Sequence, residues 1–430
     1  MTKTEIVEKY RRYLYGLNPY YKEPLPFVRG EGKWLTDADG RRYLDFFGGI
    51  VTVALGHCEP RVVAALEKQA RTLQHVSTLF PTIPIVELAE KLSEIFPGDK
   101  PARSFFTNSG TEAIETAILT ARVHTQRTEV VALRHGYHGR TMLSMSLTAH
   151  SNWRLGGVHD GSIRHAMAPY CYRCPLGLKP ESCGTACAQD VEEVIKTTTS
   201  GRPAAYIAEP IMGVGGFITP PKDYFPTVAE IVRRYDALFI ADEVQTGWGR
   251  TGGKWFGIEQ SGVKPDIVVA AKSLGNGHPV GATIARAAVA DSFKGATIAT
   301  FGGNPVTMAV ARTVVDIIEK DRLADNAQVV GSHFRARLDG LAEKHPVIGE
   351  VRGMGLMQGM ELVTDRKTKE PAPQAAAAVL EAAKDRGLII GKGGLYGNVL
   401  RISPPLTVTT EDADQAADMI DKALGDAAKA

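Results

Sequence analysis

The sequence has little excess charge and no long apolar run. Its 50 basic and 48 acidic side chains leave a formal net charge of +2, without the basic stripe that nucleic-acid binding needs. No run reaches the roughly 20 apolar residues of a membrane-spanning helix. The N-terminal MTKTEIVEKYRRYL carries charges where a signal peptide needs an apolar stretch. We therefore expect a cytoplasmic protein that has neither nucleic acid nor membrane as a partner.

The sequence also lacks low-complexity tracts and internal repeats. Hydrophobic residues make up 44% and charged residues 23% of the chain, as in ordinary globular proteins. The 430 residues exceed the size at which one hydrophobic core usually stops growing. We expect residues 61–310 to form a large domain and 311–430 a C-terminal small domain, to which the N-terminal segment 1–60 contributes.

Cysteine is scarce, but four of the five cysteines crowd into YCYRCPLGLKPESCGTACAQ. Cys171, Cys174, Cys183 and Cys187 form the pattern C-x2-C-x8-C-x3-C, which resembles a zinc site of four thiolates. The alternatives are a surface loop of reduced thiols and a pair of short disulfides. The short intervening loop and the absence of a histidine weigh against the metal. Cys58, in GHCEP, is expected to be packed.

Three charged side chains follow three apolar runs. Glu209 follows AAYIA, Asp242 follows ALFIA and Lys272 follows DIVVAA. The runs favour buried parallel strands over helices, and their spacing of about 30 residues fits a strand plus a crossover helix. Because ligands of open α/β sheets bind beyond the carboxyl ends of the strands, the three side chains should face one crevice. Such buried charges are costly and are tolerated mainly for chemistry, so we expect an enzyme.

The remaining patterns predict an α/β fold. From about residue 103 to 290, strand and helix patterns alternate, as in a doubly wound, mostly parallel sheet. Before this region, DADG predicts a hairpin, and PRVVAALEKQARTL and IPIVELAEKLSEIF predict amphipathic helices. After it, VTMAVARTVVDIIEK starts a helical stretch, and VRGMGLMQGMEL and NVLRIS predict strands before a final helix, EDADQAADMIDKAL. These last elements would belong to a smaller α+β domain.

Two further features point to a phosphorylated carbonyl cofactor. In TNSGTEAIETAILTAR, a Gly-Thr pair at a helix N-terminus offers N–H groups and a hydroxyl to a phosphate, although a plain helix cap explains the pattern equally well. A desolvated Lys272 would have a lowered pKa and a nucleophilic amine; a structural salt bridge is the alternative. Asp242 in the same cleft would keep a pyridine nitrogen protonated. Together these groups meet the needs of pyridoxal phosphate.

Several motifs then follow one another along the chain: TNSGTEA, GYHGRT, AEPI, ADEVQTGWGRTG, AAKSLGNG, TFGGNP and LRISPP. In these motifs the chain resembles the class III aminotransferases, which are pyridoxal-phosphate enzymes of fold type I. The resemblance extends from about residue 25 to the C-terminus. It implies a large doubly wound sheet domain, a smaller α+β domain, and pyridoxal 5′-phosphate as the cofactor.

The resemblance also implies roles for individual residues. Lys272 would hold the cofactor as a Schiff base and move a proton during transfer, and Asp242 would pair with the pyridine nitrogen. Gln245 would lie beside the phenolic oxygen of the cofactor. The other cofactor-binding residues that it implies are Ser109, Gly110, Thr111, Tyr137, His138, Glu209 and Thr300. Because the threonine before FGGNP reaches the neighbouring subunit's phosphate in this family, Thr300 implies at least a homodimer with shared active sites.

The substrates are expected to be small amino and oxo acids. The resemblance implies that Arg401 binds the α-carboxylate, whereas from its fragment alone a solvated charge is equally possible. Arg140 matches a position for a second carboxylate, and Ile50 is a further candidate substrate contact. Val214 stands where the enzymes that use 4-aminobutyrate or ornithine carry a glutamate that pairs with this arginine.

The residues around the expected substrate, together with two longer motifs, lead to a prediction about the reaction. The chain looks most like the alanine–glyoxylate and 3-aminoisobutyrate–pyruvate branch in DFFGGIVTVALGHCEP and KGGLYGNVLRISPP. We expect a ping-pong transfer of an amino group from alanine, or from an ω- or β-amino acid, to glyoxylate or pyruvate. The alternatives are a 4-aminobutyrate:2-oxoglutarate aminotransferase and a decarboxylating transaminase.

Overall fold

The computed structural model describes residues 1–16, 20–156 and 159–428, and arranges them around one large and two smaller sheets. The helices are α1 (Lys3–Tyr13), α2 (Gly48–Val51, a single turn), α3 (Pro60–Thr72), α4 (Ile83–Ile95), α5 (Gly110–Thr125), α6 (Met142–Leu147), α7 (Ala186–Thr198), α8 (Tyr224–Arg234), α9 (Ala287–Ala290), α10 (Pro305–Lys320), α11 (Leu323–Lys344), α12 (Pro373–Asp385) and α13 (Thr410–Ala427). The strands are β1 (Phe27–Glu31), β2 (Trp34–Asp37), β3 (Arg42–Asp45), β4 (Ala102–Thr107), β5 (Val130–Leu133), β6 (Ile163–Ala166), β7 (Ala205–Ala208), β8 (Leu238–Asp242), β9 (Ile267–Ala270), β10 (Gly281–Arg286), β11 (Ile348–Met354), β12 (Met357–Leu362), β13 (Leu388–Ile389), β14 (Gly391–Gly393) and β15 (Val399–Ile402). The predicted α/β class is confirmed.

The large sheet has seven strands in the order β4-β10-β9-β8-β7-β5-β6. From β9 to β6 neighbouring strands run parallel, and β10 is antiparallel to both β9 and β4. Every residue of β5, β7, β8 and β9 is buried. Such continuous burial explains their uninterrupted apolar sequences, because a parallel sheet has helices on both faces. The prediction of a doubly wound, mostly parallel sheet is confirmed.

The two smaller sheets lie in the N- and C-terminal parts of the chain. One has the order β1-β2-β3-β13 and the other β11-β12-β15-β14. DADG closes the predicted hairpin between β2 and β3, where Asp37 Oδ1 accepts hydrogen bonds from the N–H groups of Asp39 and Arg41. The parallel pairing of β3 with β13 joins the N-terminal strands to the C-terminal segment. This pairing supports a shared small domain, whose boundaries stay a prediction.

The turn α2 has an unusual backbone. Its four residues all have positive φ, from 58° at Gly48 to 66° at Ile50. β-branched residues rarely adopt this left-handed conformation, and they retain it only where neighbours enforce it. Ser273 Oγ donates to the carbonyl of Val51 (3.2 Å), and Ser403 Oγ donates to that of Phe47 (3.2 Å). The turn therefore joins the segment after Lys272 to the end of β15.

No helix in the described part of the chain is both long enough and apolar enough to cross a membrane.

Candidate active site

The carboxyl ends of β7, β8 and β9 open into a cavity of about 330 Å³. Asp242 is the last residue of β8, Glu209 directly follows β7, and Lys272 lies two residues beyond β9. Of the predicted site residues, the cavity lining contains Ser109, Gly110, Thr111, Tyr137, His138, Arg140, Glu209, Asp242, Gln245 and Lys272. The structure thus brings the three strand-end charges together with the start of α5.

Lys272 offers a reactive amine to this cavity. It lies in a short 3₁₀ turn with a left-handed φ of 45°. Burial lowers the pKa of Lys272, while the nearby charge of Asp242 partly opposes the shift. A lowered pKa increases the neutral, nucleophilic fraction of the amine at physiological pH.

Asp242 is held by two hydrogen bonds. Its Oδ2 lies 2.7 Å from Nδ1 of His138, and its Oδ1 accepts from the N–H of Val244 (3.1 Å). Burial of the imidazole acts to lower the pKa of His138, but the hydrogen bond to Asp242 and the charge of this carboxylate outweigh it, and the pKa is raised. His138 is buried and its Nε2 has no hydrogen-bond partner among the described residues. These two hydrogen bonds orient the carboxylate of Asp242, which faces the cavity and can bind a ligand there.

Glu209 connects two loops that border the cavity. Its oxygens accept from the N–H groups of Tyr137 (2.9 Å) and Gly213 (2.8 Å). Burial and the neighbouring Asp242 raise the pKa of Glu209 to about 7. The side chain is therefore a structural acceptor for both loops and a second acid beside the lysine.

The N-terminus of α5 is a capped helix start that borders the cavity. Ser109 is the N-cap and accepts from the N–H of Glu112 (3.3 Å), whose carboxylate accepts from Asn108 (2.7 Å). The cap leaves other first-turn N–H groups without an intrahelical partner. Thr111 Oγ1 lies 2.6 Å from Ser144 Oγ and accepts from the N–H of Arg140 (3.2 Å). The helix cap is therefore present, and the phosphate site at the same turn stays a prediction.

Arg401 lies in β15 and is almost fully buried. Its guanidinium carbon is 4.7 Å from the ring centre of Phe217 and 5.7 Å from that of Phe47. Its Nη2 donates to Gln245 Oε1 (2.9 Å). Within the described ranges no carboxylate forms an ion pair with it, as the valine at position 214 predicts. Gln245, which was predicted to lie beside the cofactor's phenolic oxygen, lines the cavity but is also bound to this arginine.

Two glycines make this contact possible. A Cβ at position 213 would lie 2.4 Å from the side-chain amide carbon of Gln245, and one at position 393 would lie 2.6 Å from Cδ of Arg401. Val214 follows the first of these glycines and is buried. The segments of Gly213 and Gly393 therefore enclose the arginine closely.

Three predicted residues lie outside the cavity lining. Thr300 is exposed in a bend before α10, and Ile50 is 48% exposed on α2. Arg401 is connected to the lining by its hydrogen bond to Gln245. Arg140 is exposed and belongs to the lining. Neither Thr300 nor Ile50 contributes to the cavity within this single chain.

The structure adds residues that the sequence analysis did not select. They are Asn108, Gly139, Val244, Ala271, His278, Pro279 and Val280 in the cavity lining, and Phe47 and Phe217 beside Arg401. Val244 could have been predicted from the sequence, because it lies only two residues after Asp242 and so is close to the same cleft. Nothing in the sequence predicts the two phenylalanines, since their neighbours along the chain are those of ordinary core residues.

The four clustered cysteines do not form a metal centre in this structure. They are free thiols, and all four line one small apolar cavity of about 20 Å³. Among the residues that the structure describes, no group of three or more His, Cys, Asp or Glu side chains is arranged to hold a metal ion. The zinc interpretation of Cys171, Cys174, Cys183 and Cys187 and its metal-free alternatives therefore stay predictions. Cys58, which was expected to be packed, is exposed.

The geometry fits pyridoxal phosphate. Lys272 provides an amine, Asp242 an oriented carboxylate, and α5 an N-terminus for a phosphate. A Cβ at Gly139 would lie 2.3 Å from Thr111 Oγ1, so the backbone approaches this hydroxyl as closely as a glycine allows. The donors, acceptors and amine are thus those that this cofactor requires.

Comparisons with known proteins agree with this chemistry. The family Aminotransferase class-III matches residues 17–424. The chain is 42% identical over 405 residues to the mitochondrial alanine–glyoxylate aminotransferase 2 homolog 2 of Arabidopsis thaliana, covering 94% of this chain and 83% of that one. It is 38% identical over 436 residues to a leucine/methionine racemase of Thermococcus litoralis, covering 99% and 96%.

A solved structure extends the comparison to three dimensions. The PLP-bound amine transaminase from an uncultivated Pseudomonas species has a TM-score of 0.89 and 33% sequence identity, covering 96% of this chain and 97% of that chain.

Proposed function

The chain belongs to the class III aminotransferases, and on this premise we propose that it transfers an amino group from alanine, or from an ω- or β-amino acid, to glyoxylate or pyruvate. The class uses pyridoxal phosphate and a 2-oxo acid as acceptor. The choice of a small acceptor rests on one observation, the absence of a carboxylate next to Arg401 in the described structure.

The cofactor, when bound, stores the amino group between the two half-reactions and withdraws electrons from the substrate carbon. We assign Lys272 to hold it and to move the proton with Nζ, because burial lowers the pKa of this amine. We assign Asp242 to the ring nitrogen, since its hydrogen bonds to His138 and Val244 keep the carboxylate in place. Ser109, Gly110 and Thr111 would bind the phosphate at the N-terminus of α5.

Substrate recognition follows from the charge around Arg401. A guanidinium that faces no protein carboxylate attracts a substrate carboxylate strongly in a buried site. Val214 cannot neutralise it when no acid is bound. Short amino and oxo acids, whose carboxylate lies next to the reacting carbon, should therefore be favoured over long ω-amines, which place no charge there.

Arg140 favours a second candidate. It lies exposed in the cavity lining, with its N–H bound to Thr111. A second cation at this rim suits a dicarboxylate such as 2-oxoglutarate, which would make the protein a 4-aminobutyrate:2-oxoglutarate aminotransferase. The two candidates differ in their acceptor.

The test is a screen of each half-reaction with the holoenzyme, monitored by cofactor absorbance. Alanine, 3-aminoisobutyrate and 4-aminobutyrate serve as donors, and glyoxylate, pyruvate and 2-oxoglutarate as acceptors. Faster reaction with glyoxylate or pyruvate supports the proposal, whereas preference for 2-oxoglutarate over both contradicts it and makes Arg140 the deciding residue. Release of carbon dioxide would identify a decarboxylating enzyme, and inversion of an amino acid without loss of its amino group a racemase.

We further infer a homodimer with shared active sites. Thr300 is exposed and lies outside the cavity of its own chain, so a role in phosphate binding requires a second copy. Two large apolar side chains close to it in the sequence, Ile298 and Phe301, are 52% and 61% exposed, as apolar residues of an interface would be in an isolated chain. A cytoplasmic location stays a prediction.

A further inference from the structure

Phe217 has a conformation that is rare for an aromatic residue. Its φ is 54°, in the left-handed region, and its side chain is completely buried. Non-glycine residues keep this backbone only when the surrounding structure enforces it, and such residues concentrate at functional sites. Contacts with the rest of the protein must therefore hold the backbone of Phe217 in this conformation.

Arg352 holds the segment before the ring. Its Nε donates to the carbonyl of Gly216 (2.9 Å), and its Nη1 donates to Glu361 (2.6 Å) and Glu350 (2.5 Å). The guanidinium is buried, and Arg173, which also pairs with Glu361 (2.5 Å), supplies the second positive charge that balances the two carboxylates. A buried, ion-paired arginine is a rigid donor, because moving it would leave charges without partners.

Other contacts prevent the segment from relaxing. Gly216 has a φ of 97°, and a Cβ there would lie 2.9 Å from Val399 Cγ2. Met212 donates its N–H to the carbonyl of Ile218 (3.0 Å), which closes the loop around Phe217. The ring also packs with Val51, the last residue of the left-handed turn α2.

The ring supports the guanidinium of Arg401. Phe217 is the nearer of the two aromatic rings beside it, at 4.7 Å, while Phe47 lies at 5.7 Å. A cation over a ring face is attracted by the ring's quadrupole, most strongly where water is excluded. The rings and the amide of Gln245 together restrict the orientation of the guanidinium plane.

We propose that Phe217, held in place by Arg352 through the Gly216 carbonyl, is a positioning residue that orients Arg401 for the carboxylate of the substrate. The inference rests on the proposed function, in which Arg401 binds that carboxylate. A planar guanidinium binds a carboxylate through two parallel hydrogen bonds, so tilting its plane weakens both of them. Loss of the ring should therefore affect substrates with this carboxylate and spare those without it.

The experiment compares alanine with 2-aminopropane, in which a methyl group replaces the carboxylate. For Phe217→Leu holoenzyme, kcat/KM for alanine should fall by about tenfold through KM, the size expected for loss of a buried cation–π contact. The single-turnover rate with 2-aminopropane should stay within about twofold of wild type, because no carboxylate is involved. Phe217→Tyr, which keeps the ring, should restore the KM for alanine.

Arg352→Lys tests the support behind the ring. It keeps the charge between the two glutamates but loses the fork that reaches Gly216, so its KM for alanine should also rise. Phe96→Leu is the matched control, since Phe96 is equally buried and lies at the end of α4, away from Arg401. It should alter stability without changing the KM.

The outcomes separate the inference from the proposed function. If Phe217→Leu lowers the rates with both amines equally, or changes neither, the positioning role is wrong. Arg401→Ala, assayed in parallel, should lose most of the preference for alanine. If it keeps that preference, Arg401 does not bind the carboxylate and the proposed function fails. If Arg401→Ala loses the preference for alanine but Phe217→Leu has the kinetics of the wild type, the positioning role of Phe217 is wrong and the proposed function stands.

Discussion

Lys272 is the residue on which the assignment of the chemistry depends. Burial lowers the pKa of Lys272 and costs stability, a cost that proteins accept mainly where the amine is needed for chemistry. We expect Lys272→Ala holoenzyme to bind pyridoxal phosphate but to lose turnover by about three orders of magnitude or more, because nucleophile and proton carrier disappear together. Borohydride reduction and peptide mapping of the wild type should find the pyridoxyl group on Lys272. The exposed Lys222, changed to Ala, is the control, and a label on any other lysine would refute the assignment.

In our proposal, Val214 sets the preference of the enzyme for α-amino acid donors over ω-amino acid donors. We expect Val214→Glu to place a carboxylate beside Arg401 and to neutralise it when no α-carboxylate is bound. The ratio of kcat/KM for 4-aminobutyrate to that for alanine should then rise by about tenfold, equivalent to about 1.4 kcal/mol. Val214→Gln has a similar size without the charge and should leave the ratio near that of wild type. An equal response to both substitutions would show that size, not charge, sets the preference.

At the scale of a single element, β6 links stability to pH. His165 in this edge strand has its Nε2 3.2 Å from the carbonyl of Leu147, and burial lowers the pKa of His165 to about 4. Between pH 6.5 and 4 the unfolded imidazole takes up a proton while the folded one stays neutral. The stability from this group is therefore complete above pH 6.5 and is lost as the pH falls toward 4.

This sign leads to a measurable difference. We expect the free energy of unfolding, from denaturant titrations at pH 7.5 and 5.0, to fall less for His165→Gln than for the wild type. The difference should be about 1–2 kcal/mol, given the size of the shift. His75→Gln, which removes an exposed imidazole, serves as the control. If both variants lose as much stability as the wild type, β6 does not contribute to the acid sensitivity.

At the scale of the whole molecule, the prediction concerns shared active sites. Lys272→Ala subunits mixed with Thr300→Ala subunits should form hybrids in which one site carries both changes and the other carries neither. The mixture should therefore regain activity that neither parent shows. Subunit exchange is verified by native mass spectrometry of tagged chains, and each variant incubated alone is the control. Exchange without recovered activity would rule out a site completed by Thr300 of a second copy.

An exposed apolar surface is consistent with such an assembly. The segment that includes Leu79, Phe80 and Ile83 exposes 63–74% of each of these side chains. It adjoins the TFGGNP turn, since a Cβ at Gly303 would lie 2.6 Å from Ile85. Clusters of exposed large apolar side chains often mark interaction sites. The region around Thr300 is thus where we expect the second copy to bind.

The α/β class, the buried parallel strands and the charges at their carboxyl ends can all be predicted from the amino-acid sequence. These features are local, because an apolar run and the residue that follows it lie next to each other along the chain. Glu209, Asp242 and Lys272 can therefore be identified from the sequence, and so can the start of α5 at Gly110. The family resemblance added residues such as Tyr137 whose surroundings in the sequence carry no signal.

The surroundings of these residues depend on how distant parts of the chain fold together. Gln245 and Arg401 are 156 residues apart in the chain, and His138 and Asp242 are 104 apart, yet both pairs form hydrogen bonds. Likewise, nothing in GGFITP predicts that Phe217 adopts a left-handed backbone, because the contacts that enforce it come from β11 and β15. Such pairings depend on how distant segments pack, and local sequence preferences do not encode that packing.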